Sequence, residues 1–461
     1  MKSTVASSKI ERRKQGKALR EKFPRTSHAE WKPRSKSEDI VKLLEESDAD
    51  RIPGLIPVKY QRMAVSPFTF FRGAAIVQAR DLAKAPVSGI TVQACGDCHL
   101  ANFGGFASPE RVLVFDINDF DETFPGPWEW DIKRLGASLI LAARDRGFSK
   151  TVAKQAAQAA AASYRERMSE FAEMKVLDAW YSKVSIDALR EHFRNNQDMS
   201  ARLSKKQKQA RSQNSEAVIP KLTGVENGRR TIKDNPPVIY HFQEYVQNLE
   251  KGHARFLKEY KESLQTDRQE LFERYRLQDA AIKVVGVGSV GTRCYLALFL
   301  ADDDDPLFLQ VKEARRSVLE SPRGKSRYTH QGLRVVEGQR LMQGASDIFL
   351  GWARTKEHDY YFRQFRDMKV SAEIETFRPA TLVSYATMCG WALARAHAKA
   401  GDAAMIAGYL GSTDQFDDAL AQYAEAYADQ AERDYETFQK AIRSGRLSTQ
   451  VEKDAGLEFL L

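Results

Sequence analysis

One stretch of the sequence holds several carboxylates and an amide side chain at spacings suited to acid–base and metal chemistry. It begins with Gly96-Asp97-Cys98-His99-Leu100-Ala101-Asn102, and a predicted strand then leads to Asp116-Ile117-Asn118-Asp119-Phe120-Asp121. Transfer of a phosphoryl group needs a carboxylate near the attacking hydroxyl and further oxygen atoms that bind Mg²⁺. The loop therefore predicts three catalytic residues, which are Asp97, His99 and Asn102.

The same stretch also predicts metal ligands. Mg²⁺ takes few protein ligands and keeps several water molecules, so a small set of oxygen atoms is enough. We expect Asn102 and Asp119 to bind it, with Asp121 assisting and Asp116, directly after the apolar strand, as a further candidate. Exposed turns would explain each acid alone, but they do not explain the whole pattern.

A glycine-rich segment lies much later, at Gly286-Val287-Gly288-Ser289-Val290-Gly291. Strand-forming residues follow it, so the pattern indicates a strand–loop–strand flap and not the loop-to-helix turn of a dinucleotide-binding fold. Backbone amides of such a flap can cover ATP phosphates. The expected nucleotide-binding residues are Gly286, Gly288, Ser289 and Gly291. A glycine-rich hairpin without a ligand would explain the loop equally well if it stood alone.

A lysine stands inside the next apolar strand, at Lys312. Burying an unpaired ammonium group is costly, so this residue needs a partner. A strand lysine in this place can hold the α- and β-phosphates of a nucleotide. Glu337, in the predicted helix that follows, is the expected ion-pair partner, and a surface lysine is the competing interpretation.

Two neighbouring patterns have simpler explanations. The segment Cys95-Gly96-Asp97-Cys98-His99 matches the haem attachment pattern C-x-x-C-H, but that chemistry needs an exported chain and no secretory signal is predicted. Asp131 follows Pro127 at a predicted helix start, where an acid complements the helix dipole.

The assembled motifs resemble two known groups. Gly96-Asp97-x-His99-x-x-Asn102, Asp119-Phe120-Asp121 and Pro127-x-x-x-Asp131 are similar to the aminoglycoside- and choline-type phosphotransferase branch of the protein-kinase-like fold. Cys95 replaces that branch's usual histidine. The resemblance implies that Asp131 braces the catalytic loop through its backbone amides.

A longer set of motifs, from about Arg51 to Gln430, resembles an uncharacterised bacterial family called domain of unknown function 2252. The carrying segments include Ser66-Pro67-Phe68, Phe71-Arg72-Gly73, Asn118-Asp119-Phe120-Asp121-Glu122, Gly126-Pro127, Trp130-Asp131, the glycine-rich segment, Lys312-Glu313-Ala314 and Arg334-Val335-Val336-Glu337-Gly338-Gln339. This resemblance implies no activity, because the family has no settled one.

The order of the motifs departs from that of ordinary kinases, since the catalytic loop precedes the glycine loop and its lysine. Permutation is physically acceptable when the original termini lie close together. We therefore predict an α+β fold class, as a protein-kinase-like two-lobe fold that is circularly permuted and carries a basic N-terminal tail. A helix over 382–398 resembles the one that usually leads into the catalytic loop, and His397 at its end is read as a core residue.

Four parts follow along the chain. Residues 1–50 are a basic, partly disordered tail, because residues 1–36 hold a charge of +9, equal to that of the whole chain. Residues 51–235 form the catalytic-loop lobe and end in a basic linker over 202–237. Residues 238–370 hold a connecting helix and the strand-rich nucleotide-binding lobe, and 371–461 add C-terminal helices.

Apolar periodicity places the elements that position these motifs. Strands are predicted at 90–94, 112–117, 282–285, 295–300, 307–311, 349–353 and 360–365, and helices at 38–47, 128–144, 151–175, 238–278, 333–343, 382–398 and 414–442. No apolar run approaches the roughly 18 residues that span a bilayer. Four cysteines in 461 residues favour reduced thiols in a cytoplasmic protein.

These patterns favour an ATP- and Mg²⁺-dependent phosphotransferase with an unknown acceptor. The alternatives are a nucleotide-binding pseudokinase with a regulatory role, an AMP transferase on the same fold, and a metal-dependent phosphohydrolase centred on 116–121. A nucleic-acid-binding protein is a further alternative that would act through the basic tail, for which a solvated leader is the simpler interpretation.

Overall fold

Strands and helices alternate in blocks along the chain in the computed structural model. It describes residues 7–34, 38–212, 215–226, 228–236, 238–241, 254–284, 286–302, 305–365 and 368–450. Its strands are β1 (Thr91–Ala94), β2 (Phe103–Ala107), β3 (Leu113–Ile117), β4 (Phe124–Pro127), β5 (Thr223–Glu226), β6 (Arg229–Ile232), β7 (Ile239–Tyr240), β8 (Arg276–Lys283), β9 (Cys294–Leu300), β10 (Pro306–Ala314), β11 (Gly351–Arg354), β12 (Asp359–Gln364) and β13 (Val370–Ser371).

Helices fill much of the remaining chain. They are Lys9–Lys22, Ile40–Asp48, Ile56–Met63, Pro67–Gly73, Ala75–Leu82, Trp128–Asp145, Lys150–Glu173, Val176–Tyr181, Ile186–His192, Gln197–Arg211, Ser215–Leu222, Thr266–Phe272, Glu320–Arg323, Gln331–Met342, Pro379–Ala400, Ala403–Leu410 and Gln415–Arg443. Residues 254–262 are also helical. The mixed α+β class is therefore confirmed, and most predicted elements lie within a few residues of the observed ones.

A six-stranded antiparallel sheet, in the order β11-β12-β10-β9-β8-β7, forms the strand-rich part. Every residue of β9 and β10 is buried, as expected for strands at the centre of a sheet covered on both faces. The two strands form an antiparallel hairpin with its turn after Leu300; positions 303 and 304 of that turn lie outside the described residues.

Long helices form the other part around an alanine-rich interface. Lys150–Glu173 packs along Pro379–Ala400, and Ala156, Ala157 and Ala160 are fully buried there. Such small side chains let two helix backbones approach closely. Trp128–Asp145 and Gln415–Arg443 pack against this pair. The loops between β1 and β2 and between β3 and β4 lie next to these helices and carry the motifs of the candidate site.

The N-terminal segment differs from the predicted tail in its described part. Lys9–Lys22 is a helix with a capping box between Ser8 and Glu11, and it packs on Ala403–Leu410. A Cβ added at Gly16 would lie only 1.9 Å from the carbonyl oxygen of Met405, so only glycine fits at this contact. Arg20 donates hydrogen bonds to the carbonyls of Gly408 and Tyr409. The prediction of a loose tail is wrong for residues 7–34, because basic side chains bind the open carbonyls of a helix end.

The predicted linker over 202–237 is also wrong in its described residues. The helix Gln197–Arg211 extends into it, and β5 pairs with β6 as a short hairpin. The predicted helical stretch 238–278 begins instead with β7 and ends in β8, while positions 242–253 lie outside the described residues. The polar composition of these residues favoured a linker, but a mostly exposed helix also needs few apolar residues.

Two further predictions concern the state of the cysteines and the presence of membrane-spanning helices. All four cysteines, at positions 95, 98, 294 and 389, are free thiols, as predicted, and the structure also shows that they are buried. In the described part of the chain, each helix is either too short or too polar to cross a membrane.

Candidate active site

A cavity of about 720 Å³ lies where the sheet meets the motif-bearing loops. Most of the residues singled out in the sequence line it: Asp97, His99, Asn102, Asp119, Asp121, Gly286, Gly288, Ser289 and Lys312. Segments that are far apart in sequence therefore share one site. Basic side chains at positions 51, 72, 363 and 369 also line it.

Lys312 is the buried centre of the charges in this cavity. Its Nζ lies 2.6 Å from Oδ2 of Asp121 and 3.4 Å from Oδ2 of Asp119, and the side chain is 2% exposed. Tyr361 faces Lys312 across the β10–β12 pairing and donates a hydrogen bond of 2.6 Å to Oδ1 of Asp121. A cation and a phenol thus hold both oxygens of one carboxylate.

The protonation states follow from this arrangement. Burial by itself lowers the pKa of Lys312, but Asp119 and Asp121 raise it well above its usual value, so the ammonium stays charged. Burial raises the pKa of Asp121, and Lys312 outweighs that effect and lowers it to about 2. Burial and the neighbouring charge of Asp121 raise the pKa of Asp119. Asp121 is therefore the firmly ionised member of the pair.

The glycine-rich loop borders the cavity and is fixed by hydrogen bonds to its neighbours. Ser289 Oγ donates to Oδ2 of Asp121 at 3.1 Å. Arg51 donates to the carbonyls of Val290 and Gly288, and the amide of Ile52 donates to the carbonyl of Gly291. Gly291 itself lies outside the set of described residues that line the cavity, so its predicted binding role is not matched by its position.

Asp131 makes the contacts expected of a loop brace. Its two oxygens accept hydrogen bonds from the amides of Cys95 (2.6 Å) and Gly96 (2.9 Å). His397 lies 3.1 Å from Asp131 Oδ2 and 2.8 Å from the hydroxyl of Tyr164. His397 is fully buried, as its core interpretation requires, and it also supports the brace.

Asp97 is held by an arginine that the sequence did not mark. Arg134 places Nη2 at 2.7 Å and Nε at 2.8 Å from Asp97 Oδ1, and it also donates to Gln78 and the carbonyl of Phe71. The only sequence signal was its position one turn after Asp131 on the same helix. The Asn102 side chain donates to the carbonyl of Asp97 at 2.7 Å, which fixes the turn of the loop.

His99 is poorly suited to proton transfer at neutral pH. It is 4% exposed, and its Nε2 lies 3.8 Å from Asp97 Oδ2. Burial first, and then the charges of Arg72 and Arg134, lower the pKa of His99 well below its usual value. The imidazole is therefore neutral, and it lines the cavity next to the Asp97 carboxylate.

Two predicted site residues have other partners. Glu337 pairs with Arg340 at 3.1 Å, so the predicted Lys312–Glu337 ion pair is wrong; the acids at 119 and 121 occupy Lys312 instead. Asp116 binds Arg395 at 2.8 Å in a buried ion pair and accepts a hydrogen bond from the amide of Gly344. Its prediction as a metal ligand is wrong, because it lies within β3 and faces the helices.

The remaining oxygen donors would bind Mg²⁺ only if a bound molecule supplied further oxygen atoms. The described residues contain no group of three or more His, Cys, Asp or Glu side chains arranged to hold a metal ion. Asn102, Asp119 and Asp121 line one cavity, and the carboxylates are 30% and 27% exposed. One or two carboxylates with phosphate oxygens and water is the donor set that Mg²⁺ takes at nucleotide sites.

Comparison with known proteins gives a family and no further relative. A family model described as "Uncharacterized protein conserved in bacteria (DUF2252)" matches residues 51–441. No curated protein and no solved structure matches the chain.

Proposed function

The chain belongs to the bacterial family DUF2252, and for this member we propose an ATP- and Mg²⁺-dependent phosphotransferase activity on a circularly permuted kinase-like fold. One observation carries the proposal. A buried lysine from a central strand contacts two carboxylates, beneath a glycine-rich loop, in a cavity that also contains Asp97. Phosphoryl transfer is catalysed mainly by positioning and by charge, and this set supplies both.

Each group has a proposed task. Lys312 and the glycine-rich loop bind the ATP phosphates, and Asn102, Asp119 and Asp121 would hold Mg²⁺, which offsets phosphate charge when bound. Asp97, oriented by Arg134, accepts the proton of the acceptor hydroxyl. The hydroxyl oxygen attacks the γ-phosphorus, the bond to the β,γ-bridging oxygen breaks, and its electron pair leaves with ADP.

A nucleotide-binding module without catalysis is the second candidate, and one observation favours it. Protein kinases need their strand lysine paired with a helix glutamate for turnover. Here Lys312 pairs with Asp119 and Asp121, while Glu337 pairs with Arg340. If this arrangement persists with nucleotide bound, ATP will bind without being consumed.

Calorimetric titration of the full chain with ATP and Mg²⁺ tests the proposal. We expect binding that depends on Mg²⁺ and that Lys312→Ala and Asp119→Asn each weaken by about tenfold or more, since each loses a charge-assisted contact. Lys356→Ala, an exposed lysine on a turn of the same sheet, is the matched control and should bind normally.

Absence of binding to a folded sample at millimolar ATP would refute a nucleotide site of any kind. Binding followed by ATP consumption with a panel of hydroxyl acceptors supports the transferase. The mass of the modified acceptor then separates phosphoryl transfer from AMP transfer. Binding without consumption by any acceptor supports the second candidate.

A further inference from the structure

One cation in the cavity has a buried N–H group that meets no acceptor among the described residues. Arg72, at the end of the helix Pro67–Gly73, lines the cavity together with Asp97 and His99. Its Nε is buried without a hydrogen-bond partner, and Asp97 acts on the guanidinium through its charge. The guanidinium also lies over the ring of Phe68, whose centroid is 5.7 Å from Cζ.

The neighbouring Arg134 has the contacts expected of an arginine with a structural role. Arg134 donates to Asp97, Gln78 and a backbone carbonyl, so its guanidinium is satisfied by the protein. Arg72 has the same five N–H donors, and its buried Nε–H meets no acceptor among the described residues. A largely buried donor without an acceptor costs free energy, which a bound ligand with suitable oxygen atoms would recover.

The charges around Asp97 indicate the kind of ligand. Arg72 and Arg134 both act electrostatically on His99 beside Asp97, so two cations lie near this one carboxylate. The other acids of the cavity wall have partners of their own: Asp119 and Asp121 with Lys312, Glu373 with Lys206, and Glu122 with the amide of Val318. Two guanidinium groups share one carboxylate here, so an amine acceptor would be repelled and an anion would be attracted.

We propose that the acceptor is an anionic small molecule, a hydroxyl compound that also carries a phosphate or carboxylate group, and that Arg72 binds this group. The proposal rests on the phosphotransferase function proposed above and names its substrate class. A guanidinium presents two parallel N–H donors to the two oxygens of such a group, which also orients the rest of the molecule. The acceptor hydroxyl would then be placed at Asp97 on the same side of the cavity.

Thermal unfolding in simple anions tests the site without using ATP. The full chain is melted in sodium phosphate, sodium acetate and sodium chloride at equal ionic strength. We expect phosphate or acetate to raise the melting temperature by about 1–3 °C over chloride when present well above its Kd. The more effective anion identifies the group as phosphate or carboxylate.

Three variants assign the effect. Arg72→Gln should lose the anion-dependent shift, and Arg72→Lys, which keeps the charge without the paired donors, should lose most of it. Arg80→Gln is the matched control, because Arg80 lies on the following helix and is not among the described residues that line the cavity. If Arg72→Gln does not fold, the lysine variant carries the comparison.

A parallel ATP–Mg²⁺ titration keeps the two proposals apart. Loss of the anion shift in Arg72→Gln with ATP affinity within about twofold of the original chain supports the acceptor site. No anion shift in the original chain, or a shift that survives in Arg72→Gln, overturns it. Weakening of ATP binding as severe as in Lys312→Ala would assign Arg72 to the nucleotide and also overturn it, leaving the phosphotransferase intact.

Discussion

The Nζ atom of Lys312 lies 2.6 Å from Oδ2 of Asp121, although the two residues are 191 positions apart in sequence. The lysine belongs to β10 of the six-stranded sheet, and the aspartate belongs to the loop between β3 and β4. Their ion pair therefore joins the strand-rich part to the helical part at the cavity wall. The same contact contributes to the stability of the fold and to the charge distribution of the candidate site.

The Lys312–Asp121 pair predicts strong coupling in a double-mutant cycle. Lys312→Met leaves two carboxylates without their cation, and Asp121→Asn leaves a buried ammonium short of an acceptor. Breaking one side of a buried pair costs about 3–5 kcal/mol, and we expect the double variant to lose at least ~1 kcal/mol less than the sum. Urea denaturation at neutral pH measures each corner. Additive losses would show that the pair is not a stabilising unit.

The hydrogen bonds of Asp131 to the loop 95–102 predict that this loop loosens when they are lost. Asp131→Asn replaces one acceptor oxygen by an amide nitrogen, so the amide of Cys95 or Gly96 loses its partner. Hydrogen exchange at that amide should accelerate by about tenfold, equivalent to roughly 1.4 kcal/mol of a charge-assisted hydrogen bond. Asp145→Asn, exposed at the other end of the same helix, is the control. Unchanged hydrogen exchange at both amides would show that Asp131 does not hold the loop in place.

Local patterns in the sequence were sufficient for part of the fold and of the site. The helix Pro379–Ala400 and the strands β9 and β10 follow from apolar periodicity, which depends only on neighbours along the chain. Asp97 and Asn102 lie in one short loop, so their proximity is also a local property. Asp119 and Asp121 follow the end of β3 by only a few residues, so their position near this strand is local as well.

Long-range pairing is what the sequence could not specify. Several acids in the sequence could form an ion pair with Lys312. Only the packed fold determines that Asp121 does so and that Glu337 does not. Asp116 and Asp119 are three positions apart, yet a strand and the loop after it turn their side chains to different sides. Arg134 joins the site only because its helix lies beside the loop 95–102, and no spacing along the chain indicates this contact.

Arg51 predicts a positioning effect on the glycine-rich loop. It donates hydrogen bonds to the carbonyls of Gly288 and Val290 at the cavity wall, so Arg51→Gln should free the loop while leaving Lys312 in place. We expect faster hydrogen exchange across 286–291 and an ATP affinity reduced by about three- to tenfold, because ordering the loop then costs entropy on binding. Arg80→Gln again serves as the control. Faster exchange with undiminished ATP affinity would separate the loop from nucleotide binding.

One methyl group added at Gly16 should strongly weaken the packing of the N-terminal helix Lys9–Lys22. In Gly16→Ala the new Cβ would meet the carbonyl oxygen of Met405, so the two helices must separate. Overpacking of this kind costs about 1–3 kcal/mol. Lys17→Ala, one position on and exposed, should leave stability nearly unchanged. Limited proteolysis should cleave Gly16→Ala within residues 7–34 well before the control variant. Equal resistance of the two would contradict the tight docking.

His241 predicts a stabilising interaction that depends on pH. It lies 3.1 Å from Asp279 and 2.8 Å from Asp234, and the hydrogen bond to Asp279 is the largest influence that raises the pKa of His241 to about 9, against the effect of burial. The folded-state pKa therefore exceeds that of the unfolded chain. The stabilisation is complete below about pH 6.5, and it is lost as the pH rises through about 9.

The comparison of His241→Asn with the original chain tests that sign. Their difference in unfolding free energy should be largest near pH 6 and should disappear by about pH 10, measured by urea denaturation at both values. His192→Asn is the control, since burial lowers the pKa of His192 and its protonation then changes only at lower pH. A difference that grows as the pH rises would mean that the folded state does not favour the protonated imidazole at position 241.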